Sequence, residues 1–115
     1  MVHNNMELEK NPPLARLHKK TTIETLWLYI LASLVSEGPT YGYNVRKIIA
    51  NKFGFKPSTV TLYTVLYRLE RLGYLEKRGD TYSITEKGRK LLEEGIKHLE
   101  KTVTMLKESL ARNNK

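Results

Sequence analysis

The sequence predicts a mainly α protein with one small β-hairpin (α+β), a winged helix-turn-helix with a long C-terminal dimerisation helix. Three observations predict it. Between Thr21 and Gly73, three segments with helix-period apolar residues are separated by glycine- and proline-containing turns. Two short alternating segments then flank Gly79-Asp80. Finally, Leu92, Ile96, Leu99, Val103, Leu106 and Leu110 step by 4, 3, 4, 3 and 4 through a stretch with no proline.

Taken in order, residues 1–20 are polar, carry Pro12-Pro13 and end in His18-Lys19-Lys20. They read as an irregular or partly helical arm. A first full helix starts near Thr21 or Thr22, either of which can cap free backbone N–H groups. Leu26, Tyr29, Ile30, Ser33 and Leu34 recur at helical spacing, and Trp27, Leu28 and Leu31 make the helix apolar on several sides, hence buried. It stops at Glu37-Gly38-Pro39. Thr40 is the expected cap of a second helix, about 41–51, with Val45, Ile48 and Ile49 inward. After the turn Phe53-Gly54-Phe55-Lys56-Pro57, a third helix runs over about 59–72 with Leu62, Val65, Leu66, Leu69 and Leu72 inward, and Gly73 ends it. Tyr74 to Arg78 and Thr81 to Ile84 are the strands of the hairpin. Thr85 caps a last helix over about 86–113. The expected organisation is therefore an N-terminal arm over 1–20, a winged helix-turn-helix DNA-binding domain over 21–85 and a dimerisation helix over 86–115.

With 115 residues the chain suits one domain and one modest core, too little for a cleft enzyme with separate substrate and cofactor lobes. The formal net charge is +8 with a pI near 9.7, which favours a polyanionic partner. The charge is spread, with no run of five like charges, so a binding surface must be assembled by folding. There is no cysteine, which excludes a disulfide framework, a thiolate metal site and a cysteine nucleophile. The longest apolar run, Leu26 to Val35, is about half of a membrane span. Without a signal-peptide core near Met1 either, the cytoplasm is the expected compartment and a membrane is not an expected partner.

The third helix carries the functional argument. From Pro57 to Tyr67 it has no charged residue. At 100° per residue, Leu62, Leu66 and Leu69 mark the buried side. Val60, Thr64, Tyr67 and Arg71 point away, flanked by Thr61 and Arg68 on one side and Tyr63 on the other. A merely solvated helix would display Glu and Lys pairs. Hydroxyls and guanidinium groups donate to phosphates, small side chains let a helix approach base edges, and Val60 suits a thymine methyl. Read blandly, Ser58 is only a cap and the threonines are ordinary surface residues. Ser58 and Thr59 at the helix start, Lys56 in the turn, and Lys77 and Arg78 in the hairpin complete the candidate contacts to double-stranded DNA.

The heptad stripe from Leu92 to Leu110 places β-branched Ile96 and Val103 at one seam position and leucine at the other. Exposed, it would be a liability, and a second copy is the simplest cover, giving a homodimer. The alternative is a helix folded back on its own domain. Leu91 lies off the seam and is expected on the core. His3, His18 and His98 are scattered, and no serine sits in a GxSxG or triad context. No catalytic residue, metal or cofactor is expected.

Three stretches resemble the PadR family of winged-helix regulators: Glu37-Gly38-Pro39-Thr40-Tyr41-Gly42-Tyr43-Asn44-Val45, Ser58-Thr59-Val60-Thr61-Leu62-Tyr63, and Leu66-Tyr67-Arg68-Leu69-Glu70-Arg71-Leu72-Gly73-Tyr74-Leu75. The less specific Tyr82-Ser83-Ile84-Thr85-Glu86-Lys87-Gly88 completes a resemblance over about 26–92. It implies a dimeric repressor on a palindromic operator, read by the helix bearing Ser58, Thr61 and Tyr63, with Thr40 and Tyr41 on the DNA backbone. Val60 stands where the family often has glycine, and the wing loop Arg78-Gly79-Asp80-Thr81 is short. Some members stack planar drugs on an aromatic of the dimer helix, yet no aromatic follows Tyr82, so a small-molecule effector has no support in the sequence. A winged-helix module that holds a protein partner, without sequence-specific DNA binding, is the competing reading.

Overall fold

The computed structural model describes residues 10–112, so Met1 to Glu9 and Asn113 to Lys115 lie outside the described residues. It is mostly helical with one small antiparallel sheet. The elements are α1 (Pro12–Thr21), a 3-10 turn (Ile23–Thr25), α2 (Leu26–Glu37), β1 (Thr40–Tyr41), α3 (Gly42–Phe53), α4 (Thr59–Arg71), β2 (Leu75–Arg78), β3 (Thr81–Ile84) and α5 (Glu86–Arg112). The described part of the arm is thus helical. Pro12 opens α1, where a missing N–H is harmless, and Asn11 accepts from the Leu14 amide at 3.2 Å.

Thr21 and Thr22 do not cap the next helix, as the sequence suggested. Their hydroxyls donate backward to the Leu17 and His18 carbonyls at 2.7 and 2.6 Å and so close α1. The intervening 3-10 turn delays α2 to Leu26. The Tyr29 hydroxyl of α2 donates to the Thr21 carbonyl, while its ring edges meet Phe53 and Phe55 at centroid distances of 5.0 and 4.9 Å. Burial pushes this hydroxyl's pKa up.

The core is one cluster: Leu26, Ile30, Leu31 and Leu34 of α2, Val45 and Ile49 of α3, Leu62, Leu66 and Leu69 of α4, Leu75 and Tyr82 of the sheet, and Leu92 of α5. Ile48 and Val65 are only half-buried, and Leu72 is exposed because it is the cap residue where α4 ends. There the Tyr74 amide donates to the Leu69 carbonyl and the Gly73 amide to the Glu70 carbonyl, a Schellman closure.

The sheet departs from the expected hairpin by one strand. β3 lies between β1 and β2, with Thr40 opposite Tyr82, Tyr41 opposite Thr81 and Arg78 opposite Thr81. Thr40 therefore belongs to a strand, and Tyr41 occupies the N-cap of α3. This pairing ties the start of α3 directly to the wing.

α5 is anchored at its first turn, packs on the core as far as Gly95, and its apolar stripe is exposed from Ile96 onward. The Thr85 hydroxyl donates to the Gly73 carbonyl at 2.7 Å and accepts from the Gly88 amide at 3.1 Å, and Lys87 Nζ donates to the Leu72 carbonyl at 2.7 Å. These bonds join the end of α4 to the start of α5. Farther along, Gly95 lets α2 come close: a β-carbon there would sit 2.7 Å from Leu28 Cδ2.

Candidate nucleic-acid interface

α4 presents the face expected of it. Ser58 Oγ accepts from the Thr61 amide at 3.1 Å and donates to Thr61 Oγ1 at 2.9 Å, so the cap also orients the first outward threonine. Thr61 Oγ1 keeps its own proton for a ligand. Thr59 and Thr64 are exposed, although Thr64 Oγ1 donates to the Val60 carbonyl at 2.8 Å. Val60 is 77% exposed and meets no apolar neighbour that would explain a valine there. Tyr67, 59% exposed, carries Arg71 over its ring at 5.7 Å.

Tyr63 leans away from this ridge toward the sheet. Its ring rests on Gly42, where an added β-carbon would lie 2.8 Å from Tyr63 Cε1 and 2.9 Å from its hydroxyl. Only glycine lets the aromatic ring lie this close to the start of α3. Tyr41, Gly42, Tyr43, Tyr63, Lys77, Asp80 and Tyr82 together line a concavity of about 290 Å³ between α4 and the wing. Three candidates from distant parts of the chain, Tyr41, Tyr63 and Lys77, thus converge. Lys77 Nζ stands 5.6 Å from the centroid of the buried Tyr82 ring. Arg78 extends at the tip of the wing and pairs with Glu76 at 3.3 Å; both are exposed, and such a pair yields readily to a stronger anion.

The remaining candidates spread around this centre. Thr40 is half-buried and accepts from Asn44 Nδ2 at 3.1 Å. Lys56 is exposed in the turn before α4. Arg68 lies on the other flank, in an apolar recess of about 270 Å³ with Trp27, Val65, Leu72 and Leu91. Glu24 borders the same recess, and a hydrogen bond from Lys20 holds its carboxyl below the usual carboxylate range.

Two exposed residues that the sequence reasoning passed over join the surface. Tyr43 stacks on Tyr41 with centroids 5.5 Å apart and planes 12° apart, and Lys47 stands over Tyr43 at 5.8 Å. The signal for them was available. No Asp or Glu occurs from Gly38 to Leu69, while Arg46, Lys47, Lys52, Lys56 and Arg68 do. A solvated pair of helices has no reason to avoid carboxylates; a surface meant for phosphate does.

Along α5, Leu92 is 9% exposed and covered by its own core, with Leu91 half-buried beside it. From Ile96 the stripe emerges: Ile96, Leu99, Val103, Leu106 and Leu110 are all exposed, as is Met105. The helix does not fold back on its own domain. Among the described residues, no helix is long and apolar enough to cross a membrane, and no cluster of three or more His, Cys, Asp or Glu could hold a metal ion.

The profile of the transcriptional regulator PadR-like family matches residues 30–94, more than half of the chain. A solved structure of a transcriptional regulator from Clostridium thermocellum is similar at 29% identity and a TM-score of 0.63, over 75% of this chain and 91% of that one. No curated protein matches.

Proposed function

The chain belongs to the PadR-like family of transcriptional regulators, and we propose that it is a cytoplasmic dimeric repressor that binds a palindromic DNA operator. The observation that carries the proposal is the carboxylate-free outer face of α4, set beside a wing that brings Lys77 to Tyr41 and Tyr63. In this reading α4 enters the major groove. Val60 meets a thymine methyl, Thr61 and Thr64 lie along base edges, and the Tyr63 hydroxyl and Lys77 hold the phosphates of one strand. Thr40, Tyr41, Lys56 and Arg78 extend the backbone contacts on either side.

The dimer follows from the second exposed feature. The uncovered stripe from Ile96 to Leu110 pairs with a second copy, and the bonds from Thr85 and Lys87 to the end of α4 transmit that pairing to the recognition helix. Two recognition helices on a palindrome must meet major grooves about 34 Å apart. A module that only held a protein partner would have no use for so basic and carboxylate-free a face.

Selection of bound sequences from a random duplex pool tests this reading. The expected result is an inverted repeat, bound with an affinity that falls about 1,000- to 100,000-fold between 50 and 200 mM salt if the dimer neutralises about six to ten phosphates. A pool that never enriches, or an affinity indifferent to salt, overturns it.

A further inference from the structure

Arg46 differs from the other cations between Gly38 and Leu69. It lies on α3, half-buried, and its Nε donates to the Pro57 carbonyl at 2.6 Å. Pro57 is fully buried and stands immediately before the Ser58 cap, whose own carbonyl accepts from Leu62 at 2.9 Å. One guanidinium nitrogen therefore pins the last fixed point of the chain before the recognition helix begins.

That bond engages one of the five donors of the guanidinium. Among the described residues no carboxylate pairs with Arg46, and its terminal amino groups have no hydrogen-bond partner. Nor is any partnerless side-chain nitrogen or oxygen buried, so these amino groups reach solvent. They do so within the stretch from Gly38 to Leu69, which holds no Asp or Glu. An amide or a hydroxyl would suffice to hold one carbonyl. A planar, permanently charged fork is the group that can hold a carbonyl on one edge and an anion on the other.

We propose that Arg46 bridges the helix-turn-helix turn to the DNA backbone: Nε fixes the Pro57 carbonyl while the terminal amino groups clamp a phosphate. The inference rests on the DNA-binding reading and adds a positioning residue to it. The same guanidinium couples the register of α4 in the groove to a fixed point on the backbone. Its loss changes both affinity for any duplex and preference for the right one, and two substitutions separate the two effects.

Arg46→Gln can still donate to Pro57 but carries no charge. Arg46→Lys keeps the charge but cannot hold carbonyl and phosphate in one rigid fork. The test measures affinity against salt for wild type and both variants, on a random duplex and on the duplex selected from the pool, with thermal melts alongside. Arg46→Gln is expected to lower the salt slope by about 0.9 per protomer on both duplexes. For a dimer, that makes its loss of affinity between 50 and 200 mM salt about tenfold smaller than that of wild type. Arg46→Lys is expected to keep the slope on the random duplex and to lose roughly tenfold of its preference for the selected one. An unchanged slope for Arg46→Gln overturns the phosphate clamp. Full operator preference in Arg46→Lys overturns the coupling, and it does so even if Arg46→Gln fails to fold. A wild type that binds no DNA sinks the parent reading together with this one, whereas a wild type that binds steeply beside an indifferent Arg46→Gln sinks this one alone.

Discussion

Gly42→Ala isolates the contact between the recognition helix and the start of α3. The new β-carbon would meet Tyr63 Cε1 at 2.8 Å, against an ordinary contact distance of 3.4 Å or more, so the ring must withdraw by about 0.6 Å. The atoms met first are at the far end of a 40% exposed side chain, and the ring can swing outward without disturbing the core. Gly42 is the first residue of α3, where alanine restricts the unfolded chain, a gain of at most about 1 kcal/mol. Stability should therefore change little. Binding should not escape, because a hydrogen bond from tyrosine to phosphate is sensitive to displacement on this scale. A loss of about 1 kcal/mol per half-site is expected, roughly fivefold each, on specific and random DNA alike. Fluorescence anisotropy on both duplexes measures it, with a thermal melt as control. In Tyr63→Phe the hydroxyl that would bond to phosphate is already gone, so adding Gly42→Ala should cost no further binding. Additive losses in the double variant would refute the claim that Gly42 acts through the Tyr63 hydroxyl.

Three further outcomes follow from named contacts. Val60→Gly removes an exposed apolar contact from the outer face of α4 and should relax preference at one or two base pairs; equal losses on operator and random DNA would reject Val60 as a base reader. Tyr29→Phe keeps both aromatic edges but loses the bond to the Thr21 carbonyl and should destabilise the fold by about 1 kcal/mol in thermal melts, while leaving DNA contacts untouched. Because burial raises the pKa of this hydroxyl above its unfolded value, its contribution is fully present below about pH 10 and is lost as the pH rises through the raised value. An alkaline unfolding limb identical in wild type and Tyr29→Phe would contradict that.

Helices α2 to α5 were legible because their signals are local. Apolar residues recur with the helical period, and glycine or proline stands at each break. β1 was not legible, since Thr40 and Tyr41 become a strand only by pairing with residues about 40 positions later. Thr21 and Thr22 misled for a related reason. A threonine hydroxyl can cap the helix after it or bond back to the helix before it, and the polar arm gave little warning of a helix before it. In the candidate site, the face of α4 could be read from a wheel, because it depends on a single helix. The convergence of Tyr41, Tyr63 and Lys77 could not, because it depends on the sheet that β1 completes. Arg46 was hidden by its place on a helix read only for its inward residues, and its partner is a backbone carbonyl that no sequence pattern marks.

Leu99→Glu asks whether pairing of the α5 stripe holds two α4 helices in register on an operator. Leu99 is 42% exposed in the single chain and lies in the middle of the stripe that the proposal covers with a second copy. A carboxylate there would be buried without a partner, which costs several kcal/mol in typical cases. The fold of the protomer should survive, because Leu99 lies outside its core. Analytical ultracentrifugation and a gel shift on the same samples give the answer. The expected product is a folded monomer that has lost the selected operator and retains only weak, salt-sensitive binding to any duplex. A monomeric Leu99→Glu variant that binds the full operator with wild-type affinity would contradict that role for the stripe.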